Sequence, residues 1–424
     1  MVLDSPALKF TGLSMSSNHN SLSSNTSSIT KVDIGLVEFV TLMALMTSLV
    51  ALSIDAVLPA LSQIGADLNI TEARQTHLIV SLFFIGMACG QLYYGPLSDS
   101  KGRRYAIISG LIVFAVGSLV CMYAESLEVM LVGRIIQAFG VSGPRIATLA
   151  VIRDKYEGEA MARVMSFIMM VFILVPMLAP IFGQTILFWF SWQHIFSSFL
   201  IYGSLIGLWF FIRQPETLPR EKRLPFSWSQ LWISSKFILT HKLVMFYTLS
   251  SGTIFGAFLA YISSSQTLFQ HIYDTGELFP MYFAMLAFSI GLASFINGTL
   301  VMRLGMRKLC TWAMFGWLLF SAVLTASCLV SGGVPPMWQF VSLLFCAFFC
   351  IGILFGNINA MAMQPLGAMA GLGAAIIGSI SSITSVLTAV FVGSFINSSI
   401  TPVAVGFLGF GCVSFVLYWK ADKP

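Results

Sequence analysis

Four polar side chains interrupt long apolar stretches and could carry charge or bind a charged group there. Asp55 lies in "SIDAVLPALSQI", and Arg134, Gln137 and Arg145 lie in "GRIIQAFGVSGPRIA". If these stretches cross a membrane, an ionisable side chain near the centre costs roughly 2.5–3.5 kcal/mol on insertion scales, so each is a candidate functional residue. No charged residue occurs from Leu309 to Trp419. Any acid that carries a proton across the membrane must therefore lie earlier in the chain.

The spacing of the two arginines places them on one side of a helix. They are 11 residues apart, which is about 20° beyond three full turns and about 16 Å along the axis. Gln137 lies one turn from Arg134 on nearly the same side. A polar stripe of this kind needs water or polar partners, and we expect its helix to line a central cavity. There Arg145 would either contact an anionic cargo or extend toward the aqueous boundary.

The composition of the chain is that of a membrane protein. Of its 424 residues 57% are hydrophobic and only 9% are charged, against about 25% charged residues in a soluble domain. Apolar runs of about 20 residues recur along the chain and match the thickness of a bilayer core. We predict an all-α membrane protein with twelve transmembrane helices in two six-helix halves, with spans at residues 34–61, 76–97, 105–124, 128–150, 161–186, 194–213, 243–268, 278–302, 308–330, 337–362, 373–396 and 401–419.

The distribution of Lys and Arg predicts the topology. With both termini cytoplasmic, 19 of the 22 basic residues fall in cytoplasmic segments and only Arg74 falls in an outer loop, as the positive-inside rule requires. We therefore expect a multi-pass protein of the inner (plasma) membrane. Its parts would be a disordered, Ser/Asn-rich cytoplasmic tail (1–33), an N-terminal half (34–213), a cytoplasmic linker with an amphipathic segment (214–242) and a C-terminal half (243–420).

Several classes of function are disfavoured by what the sequence lacks. The basic residues form no single basic face, so we expect no nucleic-acid partner. The seven cysteines and five histidines show no metal-ligand spacing and no catalytic constellation. We expect a monomer that is not an enzyme and holds no metal or cofactor. Its partners would be a small-molecule substrate, protons and the lipid bilayer.

A charged loop occurs twice, at an offset of 203 residues. "GPLSDSKGRRYAI" at 95–107 aligns with "GTLVMRLGMRKLC" at 298–310, where Met302 replaces the acid Asp99. The first copy resembles the loop signature G-x-L-x-D-x-x-G-R-R/K of the major facilitator superfamily. This resemblance implies a gating loop in which the acid interacts with nearby bases and with the start of span 11, at 367–380. The loop residues that we assign to gating are Gly95, Asp99, Gly102, Arg103 and Arg104.

Three further motifs resemble the drug:proton antiporters of this superfamily, of the Bcr/CflA (bicyclomycin resistance) type. Asp55 with "LPAL" at 58–61 is similar to the end of span 1 in that group, and R-x-x-Q-A-x-G at 134–140 resembles the span-4 signature. In span 5, "VPMLAPIFGQ" resembles the antiporter motif through Pro176, Pro180 and Gly183, and departs from it at Val175, Ala179 and Gln184. The resemblance implies that Asp55 and Arg134 couple transport to protons.

These motifs lead to one main hypothesis of function and three alternatives. We expect proton-coupled efflux of lipophilic, multidrug or antibiotic-type compounds by alternating access. An exporter of an anionic metabolite or siderophore is an alternative because two cavity arginines face one acid. An uncoupled facilitator and a membrane enzyme are the others. Deformable Met and flat aromatic surfaces suit varied lipophilic cargo, and the predicted cavity residues are Gln137, Arg145, Phe167, Met169, Phe172, Phe258 and Tyr261.

Overall fold

Long helices make up nearly all of the protein in the computed structural model, which describes residues 35–70, 73–156, 158–223, 228–396 and 399–421. Within these ranges eleven helices are long and apolar enough to span a membrane, and the apolar stretch Leu174–Trp189 belongs to a twelfth long helix. The described residues form no β-strand. The predicted all-α, twelve-helix membrane fold is confirmed.

We number the α-helices in chain order. The first half of the chain contains α1 (Leu36–Asp55), α2 (Leu61–Asp67), α3 (Ala73–Lys101), α4 (Arg103–Met122), α5 (Leu127–Lys155), α6 (Gly158–Trp189) and α7 (Gln193–Arg213). The remainder contains α8 (Trp228–Thr240), α9 (Lys242–Gln266), α10 (Phe279–Leu304), α11 (Met306–Val330), α12 (Met337–Met363), α13 (Ala370–Gly393) and α14 (Thr401–Ala421). Predicted span 4 is thus α5, span 5 is α6 and span 11 is α13.

The first predicted span is not one continuous helix. The α-helix α1 ends at Asp55, a short 3-10 turn follows at Leu58–Ala60, and α2 then begins at Leu61. Pro59 lies inside this turn and has no backbone N–H to donate. Helices are favoured in lipid because they satisfy their own backbone groups, and irregular backbone at that depth is tolerated only inside the protein or beside a cavity. The turn after Asp55 is accordingly buried.

Two one-residue connections share a backbone geometry that favours glycine. Gly102 joins α3 to α4 with a φ of 106°, and Gly305 joins α10 to α11 with a φ of 78°. A side chain is disfavoured at these positive φ values. The two glycines are also the ones that the 203-residue offset superimposes, so the sequence repeat corresponds to a repeated turn. We call the end of the bundle that carries them the connector end, and the other the opposite end.

The helices pack mainly within each half, and two symmetric pairs join the halves. In the first half α5 packs on α3 and α4, and α1 packs on α6. In the second half α9 packs on α13 and α14, and α11 packs on α12. Between the halves α3 contacts α13 and α6 contacts α10. Each of these pairs joins the second span of one half to the fifth span of the other.

The central connection contains the helix α8. It falls within the linker that we predicted at 214–242, and Trp232 on it is 70% exposed. An exposed Trp is compatible with an interfacial anchor. The side chain of Trp228 and residues 224–227 lie outside the described residues, as does the tail at 1–33. The boundaries of the two halves stay a prediction.

Candidate functional site

Asp55 lies in the interior of the bundle, at the point where the first helix ends. It is only 5% exposed and is followed by the 3-10 turn. In the described part of the chain, no ion pair includes Asp55. A buried carboxylate without a cationic partner is costly, so a group of this kind is rarely retained for structure alone.

The helix α6 contacts the residue next to Asp55. A Cβ atom on Gly183 would overlap the carbonyl oxygen of Ala56 and lie 3.2 Å from its Cα atom. Pro176 and Pro180 precede Gly183 in the same helix by about two turns and one turn. The predicted antiporter motif therefore lies on a helix that packs against Ala56, the residue after Asp55. Its contribution to antiport stays a prediction.

Arg134 is completely buried and binds backbone carbonyls of two neighbouring helices. Its Nε donates to the Ile79 oxygen at 3.0 Å, and its Nη1 donates to the Ser53 oxygen at 2.9 Å and to Gln137 Oε1 at 2.6 Å. Ser53 lies two residues before Asp55 on α1. The guanidinium is thus held beside the end of α1.

One nitrogen of Arg134 has no hydrogen-bond partner among the described residues. The buried Nη2 lacks an acceptor, and the centre of the guanidinium lies 4.5 Å from the centroid of the Phe83 ring. No ion pair among the described residues joins Arg134 to Asp55. The site therefore contains a buried cation and a buried acid on adjacent helices that do not neutralise each other directly.

Gln137 extends the polar cluster to α4. It is fully buried, and its Nε2 donates to Ser118 Oγ at 2.8 Å, which in turn donates to the Phe114 oxygen. Ser118 was not among the residues predicted from sequence. Its position on an apolar helix next to the Arg134 helix is the only signal that could have suggested it. The amide oxygen and the amide nitrogen of Gln137 are both bonded within the protein. Its contact with cargo stays a prediction.

Arg145 lies three turns from Arg134 on α5 and is half-buried. Its Nη1 is 2.9 Å from the sulfur of Met87. No ion pair among the described residues includes Arg145. The two arginines are therefore both without a carboxylate partner in the described structure.

The second half contributes an aromatic cluster around Tyr261. The Tyr261 ring stacks on Phe258 and Phe283, and it meets Phe348 edge-on with ring centroids 4.9 Å apart. The Tyr261 hydroxyl is buried and has no hydrogen-bond partner in the described part of the chain. The helix α9, which carries Tyr261, contacts the 3-10 turn that follows Asp55. The cluster thus lies on a helix that meets the Asp55 segment of the first half.

Of the predicted aromatic and methionine cavity residues, Phe258 and Tyr261 belong to this cluster, and the other three lie on α6. Phe167, Met169 and Phe172 lie in α6, and their side chains are outside the described part of the structure. Their role as cavity residues stays a prediction.

The connector of the first half is surrounded by acids of its own half. Arg103 pairs with Asp99, and its Nε donates to Asp154 Oδ2 at 3.1 Å. Its Nη1 also donates to Ser98 Oγ at 3.1 Å. We expected Asp99 to interact with the start of span 11 as well. The side chains of 367–372 lie outside the described residues, so the gating role of Asp99 stays a prediction.

Glu216 completes this connector, and sequence reasoning missed it. Its two carboxylate oxygens accept hydrogen bonds from the backbone N–H groups of Arg103 and Arg104, at 3.0 and 3.1 Å. The Arg104 side chain donates to the Phe211 oxygen at 2.6 Å. Gly95 packs against Ala375, so α3 meets α13 at this end. The scarcity of acids in the first half and the linker was the signal that could have identified Asp154 and Glu216 as partners.

At the opposite end, polar contacts join the two halves, and these also were not predicted. They all involve Gln266 or the π-helical turn Thr267–Ile272 that follows it. This turn interrupts the regular hydrogen bonding of its span, as π-helical turns at functional sites do. The contacts are Gln266 Nε2 to the Pro59 oxygen at 3.0 Å, Ser62 Oγ to His271 Nε2 at 3.2 Å, and His77 Nε2 to Thr267 Oγ1 at 3.2 Å.

The described residues contain no group of three or more His, Cys, Asp or Glu side chains placed to hold a metal ion. The chemistry of the site is thus that of one acid, two arginines, an amide and an aromatic cluster.

Comparison with known proteins agrees with this architecture. The model of the family described as Major Facilitator Superfamily matches residues 43–389. The chain is 29% identical to the bicyclomycin resistance protein homolog of Haemophilus influenzae, over 81% of this chain and 85% of the relative. It is 30% identical to the multidrug resistance protein MdtL of Salmonella typhi, over 77% and 80%. A crystal structure of a D-xylose-proton symporter has the same fold, with a TM-score of 0.71, 13% identity and coverage of 91% and 97%.

Proposed function

The chain belongs to the major facilitator superfamily, and we propose that it exports lipophilic small molecules, of the drug or antibiotic type, in exchange for protons. The relatives named for bicyclomycin and multidrug resistance support this cargo class. The site supports the coupling.

The observation that carries the proposal is the isolation of Asp55. Its carboxyl group is buried beside a helix break, without a cationic partner among the described residues. A negative charge there is stabilised either by a proton or by a positively charged group of the cargo. Because one carboxylate accepts one of the two at a time, a proton arriving from outside displaces cargo that came from inside.

Arg134 forms no ion pair with Asp55 among the described residues, so the carboxylate stays available to a proton or to cargo. Its guanidinium donates to backbone carbonyls of α1 and α3 and to Gln137. It therefore holds the end of α1 in place without occupying the Asp55 carboxylate. We assign Asp55 as the proton carrier and Arg134 as the residue that positions the end of α1.

The aromatic cluster of the second half suits the apolar part of the cargo. Phe258, Tyr261 and Phe348 form an aromatic cluster on α9 and α12, and α9 contacts the 3-10 turn that follows Asp55. Stacking and burial on such surfaces favour lipophilic ligands without demanding one shape. A cargo molecule would place its apolar body there and its charged or polar group toward the first half.

Alternating access follows from the contacts at the two ends of the bundle. The opposite end is bridged by the three polar contacts of the Gln266–Ile272 segment, and the connector end is bridged where α3 meets α13. Opening one end while the other stays closed requires these contacts to separate in turn. Each proton moving inward supplies ~2.3 kcal/mol per 100 mV to this cycle.

We further propose that the connector end faces the cytoplasm of the inner membrane. The support is the excess of Lys and Arg in the segments at that end, with Arg74 the one basic residue in a predicted outer loop. This orientation places both termini inside and lets the external proton reach Asp55 from the opposite end.

The proposal is tested by the purified protein in proteoliposomes with an imposed pH gradient. Asp55→Asn should abolish gradient-driven movement of a lipophilic cationic dye, while Asp55→Glu should retain part of it. Both variants should elute as folded protein on size exclusion. Full gradient-driven transport by Asp55→Asn would overturn the assignment.

A second candidate function is favoured by one observation. Arg145 and Arg134 lie on one helix without carboxylate partners in the described structure, and Arg134 Nη2 has no acceptor. This surplus of buried positive charge also suits an anionic metabolite or siderophore. Export of a carboxylate compound and of a cationic dye by Arg145→Ala separates the two candidates. Lower export of the carboxylate with unchanged export of the dye would favour the anionic cargo.

A further inference from the structure

The helix α8 in the central connection carries a large apolar surface on the outside of the bundle. Four of its apolar side chains are between 42% and 70% exposed, namely Trp232, Ile233, Phe237 and Leu239. Isolated exposed apolar residues are common on proteins, whereas four of them within two turns of one helix form a patch. A patch of this kind marks a surface that binds another protein or a membrane.

The four exposed side chains share one side of α8. At 100° per residue they fall within an arc of about 160°. Ile238 points to the middle of the remaining arc and is completely buried. The helix contacts α9 and α13. It therefore packs on these two helices through the side that carries Ile238 and turns its apolar outer side away from them.

The continuity of the chain places α8 at the level of the membrane surface. Only His241 separates the end of α8 at Thr240 from the start of α9 at Lys242. Both α9 and α13 are long and apolar enough to span a membrane, and α9 begins at the connector end. The helix α8 thus lies beside the connector ends of two spans, where the hydrocarbon core of a bilayer meets the headgroups.

The one charged residue of α8 lies within its apolar side. Lys236 is exposed and falls between Trp232 and Ile233 around the helix axis. A lysine in this place can lay its methylene stem along apolar surface and keep its ammonium group among lipid phosphates. Tryptophan favours the same boundary, because its ring is amphipathic. The outer side of α8 therefore has the chemistry of a surface that meets headgroups and upper acyl chains.

We propose that α8 is an interfacial helix, whose outer side inserts into the phospholipid leaflet at the connector end. Its four exposed apolar side chains would lie below the phosphates, and Lys236 would reach up to them. Helices of this type bury their apolar face at the boundary between headgroups and acyl chains and lie in the plane of the membrane. Because α8 packs on α13, which contacts α3 of the other half, insertion anchors a helix of the interface between the halves to the leaflet.

The surroundings of a spin label on the outer side of α8 identify what covers it. Ile233→Cys, in a full-length background without native cysteines, is labelled with a nitroxide and reconstituted in vesicles of phosphatidylcholine and phosphatidylglycerol. Power-saturation EPR then measures collisions with oxygen, which concentrates in the bilayer, and with the water-soluble nickel complex NiEDDA. Leu319→Cys, at a position 60% exposed within the span α11, is the reference for lipid. Arg220→Cys, at an exposed position of the linker, is the reference for water.

The expected result is that the label at Ile233 collides more with oxygen than with NiEDDA, as at Leu319, and that Arg220 shows the reverse. Labels at Trp232→Cys and Phe237→Cys should agree with Ile233, so the result does not depend on one variant folding well. A water-like ratio at Ile233 would overturn the proposal. Shielding from both reagents would also overturn it, because it would show that protein covers the helix, either from a second copy or from another chain.

A pair of double variants gives a second readout, with the label at Leu239→Cys. Ile233→Ser with Phe237→Ser removes half of the exposed apolar side chains of α8 and should shift the label toward the ratio found at Arg220. Leu319→Ser with Val323→Ser removes two exposed apolar side chains from α11 instead and should leave the label lipid-like. An unchanged ratio in the first double variant, or equal shifts in both, would show that the outer side of α8 does not hold the helix in the leaflet.

Discussion

The two halves of the protein share a plan of helices but differ in where they hold charge. The first half carries Asp55, Arg134 and Arg145 within its spans, whereas no charged residue occurs from Leu309 to Trp419. Their connectors differ in the same way. Gly102 is surrounded by acids that bind Arg103 and Arg104, and the space beside Gly305 is lined by bases.

This difference shows which parts of a duplicated fold are constrained by geometry. The glycine turns and the symmetric helix pairs recur because backbone packing requires them. Charge is costly at membrane depth and is retained only where it has a role. In the proposed mechanism the first half supplies the proton chemistry, and the second half supplies apolar and aromatic surface. Four experiments test this difference between the halves, in order of decreasing expected effect.

The largest effect is expected from locking the two halves together at the opposite end. Ser62→Cys with His271→Cys, in a background without native cysteines, places thiols where Ser62 and His271 now meet. A short, cleavable bis-thiol cross-linker should reduce transport to near background, and cleavage should restore it. Ser62→Cys alone with the same reagent is the control. Undiminished transport by the cross-linked protein would show that the halves do not separate there.

A large loss of stability is expected where α6 meets α1. A methyl group at Gly183 would overlap backbone atoms of Ala56, and overpacking of this kind costs about 3 kcal/mol. Gly183→Ala should therefore lower the melting temperature and the transport rate. Gly409→Ala is the matched control in the second half, since a Cβ atom there meets nothing within 4 Å. It should be neutral or slightly stabilising in a thermal-shift assay.

The two connectors should respond differently to the same substitution. Alanine at a positive φ costs about 1–2 kcal/mol, and this penalty applies to both Gly102→Ala and Gly305→Ala. Only Gly102→Ala also pushes a methyl group into Glu216, adding about 1–3 kcal/mol. Thermal unfolding of the two variants measures the difference. Equal losses would contradict the account of Glu216 as the anion that fills the first connector.

The smallest effect is expected for two serines that the 203-residue offset superimposes. Ser118 Oγ accepts from buried Gln137, whereas the buried hydroxyl of Ser321 has no partner within the ranges that the structure describes. Ser118→Ala leaves the Gln137 amide without its acceptor and should cost about 1–3 kcal/mol. Ser321→Ala should be neutral or stabilising. The free energy of unfolding of both variants, measured by denaturant titration, tests whether the polar network is confined to the first half.

The sequence predicted the fold closely because its signals are local and strong. Runs of about 20 apolar residues and the charged segments between them are visible without any neighbour in space, and the twelve-helix architecture followed from them. The helix break after Asp55 was not foreseen, because a single Pro59 within an apolar run is compatible with a continuous, kinked span. The π-helical turn at Thr267–Ile272 has no comparable sequence signal.

The sequence indicated the candidate residues of the site, whose roles stay a prediction, but it did not indicate their contacts. Asp55, Arg134 and Gln137 were recognisable as polar groups in apolar runs. Their partners depend on how the helices rotate and tilt against each other, which periodicity does not fix. Arg134 donates to the carbonyls of Ser53 and Ile79, and any residue at those positions would present the same oxygen. Backbone acceptors of this kind therefore cannot be identified from the sequence.

The central claim is that Asp55 exchanges a proton for cargo, and proton release on binding tests it most directly. Cargo is added to the purified protein in weakly buffered detergent solution, and the released protons are counted with a pH indicator. The account predicts close to one proton per bound cargo for the native protein and none for Asp55→Asn, whose cargo affinity is measured in parallel by isothermal titration. An undiminished proton release from Asp55→Asn would contradict it.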